Sequence, residues 1–138
     1  MPALPWMTIS HAPPDTECTV MASKLPLRSF LHIPRFLRWT LRIRRQLADA
    51  EGLVGYSLDA HLLRRTFWTA SAWTDAAALR AFSGANPHRD ATTSIRPMML
   101  PSTFVFWTCP ASDLPVRWDE VRRRVAGEEG AQVPSEPG

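Results

Sequence analysis

Leu53-Val54-Gly55-Tyr56-Ser57-Leu58-Asp59-Ala60-His61-Leu62-Leu63, then Arg64-Arg65, then Thr66-Phe67-Trp68-Thr69-Ala70-Ser71-Ala72-Trp73-Thr74-Asp75, is the stretch that decides the fold. Val54, Tyr56, Leu58 and Ala60 alternate with Gly55, Ser57, Asp59 and His61, which is the period of two expected of a strand. Residues 66–73 are rich in β-branched and aromatic side chains and read as a second strand. The arginine pair between them leaves room only for a tight reversal, so the two strands form a hairpin. Thr74-Asp75 then opens a helix, with a hydroxyl cap followed by an acid suited to the positive helix end. Residues 76–82 continue that helix with Leu79 and Phe82 inward.

Outward from this hairpin, residues 19–25 read as an earlier strand, ended by Pro26. A helix follows over 33–50. Pro34 suits its first turn, where an N–H is not needed, and Gly52 stops it. At 100° per residue Ile33, Phe36, Leu37, Thr40, Ile43 and Leu47 share one face, with Arg35, Arg38, Arg42 and Arg45 opposite. Beyond the hairpin, Gly84, Ala85, Asn86 and Pro87 break the second helix, and Pro87 starts another turn through His88 toward Ile95. Residues 104–109 are a last strand, and 117–125 a short charged helix with Trp118 near its start. Strand, helix, two strands, helix, strand is the β-α-β-β-α-β order of an α+β, ferredoxin-like fold. Helices cover one sheet face. The other carries apolar side chains, and a second copy is the simplest cover. Residues 16–126 make one domain, between an irregular arm at 1–15 and a Pro/Ser/Gly/Glu tail, expected to be disordered, at 127–138.

Composition bounds the functions. A chain of 138 residues with 45% apolar content can bury a core without metal or disulfide. Neither a membrane span nor a secretory leader is evident, so a cytoplasmic location is expected. A net charge of +3, almost all of it arginine, lacks the clustered stripe with aromatic platforms that nucleic-acid binding needs. No Gly-rich phosphate loop, G-x-S-x-G elbow or H-E-x-x-H is present, which argues against nucleotide enzymes, serine hydrolases and zinc proteases. Cys18 and Cys109 are too few for a zinc site. The strand order makes them neighbours on antiparallel partners, and they are expected to be reduced.

Two residues stand out for chemistry. His88 follows a proline at a helix start, where a helix and the sheet should leave a cleft. A neutral imidazole there can move a proton or ligate haem iron; the plainer reading is a capping histidine. His11, His32 and His61 are weaker candidates. Arg44 breaks the pattern of its helix, since it lies beside Thr40 and Ile43 rather than with the other arginines. A charge there must find a partner, water or an anionic ligand; the plainer reading is a stem that reaches solvent. Phe36, Thr40, Arg44, Trp68 and Phe82 are expected to line a cavity between the two helices and the strands, with His88 at its mouth. The Arg35–Arg45 stripe and Arg122-Arg123-Arg124 read as solvated.

The stretches 52–58, 66–75, 77–82, Pro87-His88-Arg89 and Arg96-Pro97 together resemble the antibiotic biosynthesis monooxygenase superfamily of dimeric α/β barrels. Residues 63–107 are similar to the part shared with DUF3291 proteins and spheroidene monooxygenase. The resemblance covers roughly 17–110. It implies a homodimeric, monooxygenase-like oxidoreductase for an apolar aromatic or polyene substrate. It also implies either haem held by His88 or no cofactor, with Tyr56, Trp68, Arg44 and His88 serving an electron-rich substrate that itself reacts with oxygen. The haem-degrading branch, with an asparagine on the first strand, is not matched. The competing class is a non-catalytic haem- or ligand-binding domain of the same fold.

Overall fold

The structure, a computed structural model, describes residues 6–85 and 88–132. Its elements run β1 (Met7–Thr8), β2 (Glu17–Pro26), α1 (Ile33–Ala48), β3 (Leu53–His61), β4 (Thr66–Trp73), α2 (Ala76–Gly84), α3 (His88–Ile95), β5 (Thr103–Pro110) and α4 (Trp118–Gln132). The expected hairpin of β3 and β4 is present, with Tyr56 opposite Ser71 and Leu58 opposite Thr69. One antiparallel sheet of order β1-β3-β4-β2-β5 results. Its last four strands carry the ferredoxin-like order. Arg65 completes the hairpin turn with a φ of 52°.

Local chemistry explains the helix ends. The Asp75 carboxylate, not the Thr74 hydroxyl, caps α2 by accepting from the Ala78 N–H at 2.8 Å. Between α1 and β3 the chain passes through Gly52 at φ +79°. A Cβ there would meet the Ala78 Cβ at 2.5 Å, so both the backbone and the approach of α2 demand glycine.

Strand alternation divides the core in two. On one face Leu53, Tyr56 and Trp73 pack with Leu47 of α1 and Leu79 of α2, and Phe67 packs with Phe36 and Leu27. On the other, Ala22, Ala70 and Val105 pack under Val121 and Val125 of α4, both fully buried. This corrects two expectations. The second sheet face, assigned to another copy of the chain, is covered by the chain's own α4. The sheet is open and no barrel closes. Residues 127–132, assigned to the tail, continue α4; 133–138 lie outside the described residues. The arm also contributes β1, whose Met7 pairs with Tyr56, while Trp6 lies against Gly55.

Cys18 and Cys109 face each other across the β2–β5 ladder. Both are free thiols, and burial pushes both up from the ordinary cysteine range.

Candidate active site

A cavity of about 660 Å³ lies between the first sheet face and α1, α2 and α3. Its walls are mostly apolar because α1 and α2 turn their apolar stripes onto the sheet. Phe36, Thr40 and Arg44 come from α1, one turn apart, so all three reach the same space. Tyr56 comes from β3, Phe82 from α2 and His88 from α3. Thus six of the seven residues singled out from the sequence stand around one cavity.

Trp68 does not, which corrects its assignment as a substrate contact. Successive β4 side chains point to opposite faces. Trp73, Ser71 and Thr69 face the cavity, whereas Trp68 shares the face of Ala70, beneath α4. There the Lys24 Nζ lies 5.6 Å and the Arg122 guanidinium 5.7 Å from the centre of its ring. Its neighbour Asp59, 3% exposed, accepts from His61 Nε2 at 2.9 Å and from Arg122 Nη2. With Lys24–Glu129 at 3.1 Å, these contacts fasten α4 to the sheet. His61 is therefore part of that fastening and stands apart from the cavity.

Polar groups in the cavity are few and specific. The Arg44 Nε–H donates to the Tyr56 hydroxyl oxygen at 3.5 Å. The Tyr56 proton stays available, so the pair presents a phenol O–H backed by a cation. Thr40 gives its hydroxyl proton to the Phe36 carbonyl at 2.9 Å and can only accept from a ligand. Sequence reasoning missed the floor hydroxyls. Ser23 and Thr69 hydrogen-bond to each other. Ser71 accepts from Trp73 Nε1 at 2.9 Å, which leaves its own O–H to donate. Their signal was parity: residues two and four before Trp73 share its face.

His88 is held on three sides. Its backbone N–H donates to Gln46 Oε1 at 3.0 Å. Its ring packs on Phe82, centroids 5.2 Å apart, and Phe82 in turn packs on Trp73 at the same separation. Nδ1 lies 3.2 Å from the Ser83 carbonyl oxygen. A carbonyl can only accept, so Nδ1 carries the proton and Nε2 the lone pair. Burial lowers the His88 pKa from its ordinary value, outweighing the opposite pull of that hydrogen bond. The neutral form with Nε2 basic is therefore the resting state near pH 7.

No family model matches the chain, and no curated protein matches it. Solved structures do. A conserved protein from Methanosarcina mazei Go1 is 9% identical, with 68% of this chain and 94% of that chain covered and a TM-score of 0.61. SnoaB, a cofactor-independent oxygenase from Streptomyces nogalater, is 18% identical, with 68% and 93% covered and a TM-score of 0.56. An antibiotic biosynthesis monooxygenase is 14% identical, with 70% and 99% covered and a TM-score of 0.60. The chain thus has the ferredoxin-like fold of the antibiotic biosynthesis monooxygenase-like proteins. At these identities the likeness concerns fold, and chemistry must be argued from the cavity. Among the described residues, no helix is long and apolar enough to cross a membrane.

Proposed function

We propose that this protein is a monooxygenase-like oxidoreductase whose cavity takes an apolar aromatic molecule bearing an ionisable hydroxyl. One observation carries the reading: an apolar cavity holds a neutral histidine with a lone pair at Nε2, together with a cation-backed phenol, Arg44–Tyr56. His88 accepts the substrate's hydroxyl proton. Tyr56 and Arg44 stabilise the resulting oxyanion, and the apolar walls strengthen that interaction by excluding water. The electron-rich anion passes an electron to molecular oxygen, and the two radicals combine at a ring carbon as a peroxide. The O–O bond then breaks, leaving one oxygen as a ring carbonyl and the other as water. A hydroxyarene plus O2 gives a quinone plus water, so atoms and electrons balance. Phe36, Phe82 and Trp73 suit a flat ring.

One feature favours a second reading, haem binding in a catalytic or non-catalytic domain. A histidine whose Nδ1–H is held by a carbonyl turns Nε2 outward, where it would hold a haem iron. The apolar walls fit a porphyrin, and Arg28 and Arg96, also on the lining, fit its propionates. Haem would supply iron-based oxygen chemistry or serve as cargo, and His88 would hold it.

An absorbance scan of the purified protein, followed by oxygen-electrode assay with a hydroquinone or hydroxyanthracene, separates the readings. A colourless protein that consumes oxygen one-for-one with substrate is expected. A Soret band lost in His88→Ala would transfer the assignment to haem. No colour and no oxygen uptake with any hydroxyarene would sink the enzyme reading.

A further inference from the structure

Three connections meet at one end of the sheet. Residues 27–32 leave β2, residues 62–65 join β3 to β4, and residues 96–102 lead into β5. Backbone hydrogen bonds tie them together: Leu27 N–H to the Arg65 carbonyl at 2.7 Å, Arg28 N–H to that of Met98 at 2.8 Å, and Leu100 N–H to that of Pro26 at 3.0 Å. Arg65 Nη1 adds a bond to the Arg28 carbonyl at 3.2 Å. The three segments carry Arg28, Arg64, Arg65 and Arg96 and contain no Asp or Glu. They also hold Leu63 at 92% exposure, Leu31 at 86% and Phe30 at 54%.

Single exposed apolar residues are ordinary. Several together, on segments that carry four arginines and no Asp or Glu of their own, are not. On α4, by contrast, acids are set among the bases, with Glu120 and Arg124 at 3.3 Å. Cations beside outward leucines match instead an interface that is anionic at the surface and apolar just beneath it. The cavity reaches this same end, because Arg28, Arg96, Met99 and Leu100 belong to both its lining and these connections.

We infer that this end of the molecule docks on an anionic membrane surface, with Leu31 and Leu63 entering the headgroup layer and the cavity opening toward the lipid. An apolar ligand dissolved in the bilayer then reaches the cavity without crossing water. The last step deepens the proposed function, but docking itself is measured without substrate or oxygen, so either reading can fail alone.

Co-sedimentation of the full chain with vesicles tests it. Binding is expected to vesicles of phosphatidylcholine with phosphatidylserine, to be lost on phosphatidylcholine alone, and to weaken in about 0.5 M salt, where charges are screened within a few ångströms. The double variant Leu31→Ser/Leu63→Ser removes exposed side chains and should keep the circular dichroism of the wild type. It is expected to lower partitioning about ten-fold or more. Arg64→Gln should lower it about five-fold. Wild-type protein that ignores phosphatidylserine vesicles would overturn the inference. So would a double-serine variant that binds as well as the wild type. Sedimentation velocity showing that the two leucines instead hold a dimer together in free solution would give the surface to a second copy, and would overturn it too.

Discussion

At the scale of single residues, the proposed chemistry is divided between His88 and Arg44. His88 touches the cavity through a ring wedged on Phe82 and pinned at Nδ1. Removing a half-buried ring at a cavity rim costs little packing, so His88→Ala should fold normally and lose turnover by about 10²-fold or more, the usual contribution of a general base. The pH dependence follows from the lowered pKa. Because burial holds the proton off His88, the base stays active below the ordinary histidine pKa of 6.5. The acid limb of kcat/KM should therefore fall below that value, and a limb at or above it would remove His88 from the role. Stability carries the same sign. The unfolded chain binds the proton more readily, so the folded state is favoured above 6.5 and loses that advantage as pH falls toward the folded pKa. Arg44→Met keeps the stem and deletes the charge. Its bond to Tyr56 is long and its environment half-open, so the loss for an anionic inhibitor should be about 1.5 kcal/mol, roughly ten-fold in Kd. A neutral analogue should bind unchanged; equal losses for both would mean that Arg44 only packs.

At the scale of elements, what could be read from the sequence was what repeats locally. The β3–β4 hairpin, the apolar stripe of α1 and the start of α2 each rest on spacing within about ten residues, and each is found close to its expected bounds. Three of the residues called for the cavity, Phe36, Thr40 and Arg44, followed from helical period alone. Trp68 was misplaced because aromatic character was given more weight than strand parity. Its position one before Thr69 puts it under α4, on the face opposite Trp73. β1 was missed for a different reason. Two residues of strand carry no period, and what fixes them is remote: the Trp6 indole lies against Gly55, where a Cβ would stand 2.4 Å from its nitrogen. Gly55→Ala must therefore displace Trp6. A destabilisation of about 1–3 kcal/mol is expected, together with faster amide exchange at Ile9, whose N–H bonds to the Val54 carbonyl at 2.8 Å. Unchanged exchange there would show that β1 is held without Trp6.

At the scale of the whole molecule, α4 decides which parts of the sheet are covered. Its sequence reads as a charged, solvated helix, yet Val121 and Val125 stand one turn apart and are fully buried on Ala22, Ala70 and Val105. Two buried valines are worth about 3–5 kcal/mol of apolar burial, enough to hold a helix whose other faces are charged. Fastening by Arg122 to Asp59 and by Lys24 to Glu129 adds direction more than strength, since three of those four groups are partly exposed. The helix thereby occupies the sheet face that the sequence assigned to a second copy. Val121→Asp/Val125→Asp should release it. Burying two carboxylates on an alanine–valine surface without partners is costlier than swinging the helix into solvent. The released face is apolar and extends across the width of β4, β2 and β5, so it should find its own copy. Light scattering is expected to show the double variant at twice the mass of the wild type or larger. The cavity lies on the opposite face of the sheet, so ligand binding should persist in that variant. A double variant that keeps the wild-type mass while limited proteolysis shows α4 detached would mean that the bared face does not self-associate, and that α4 is there to keep water off the sheet.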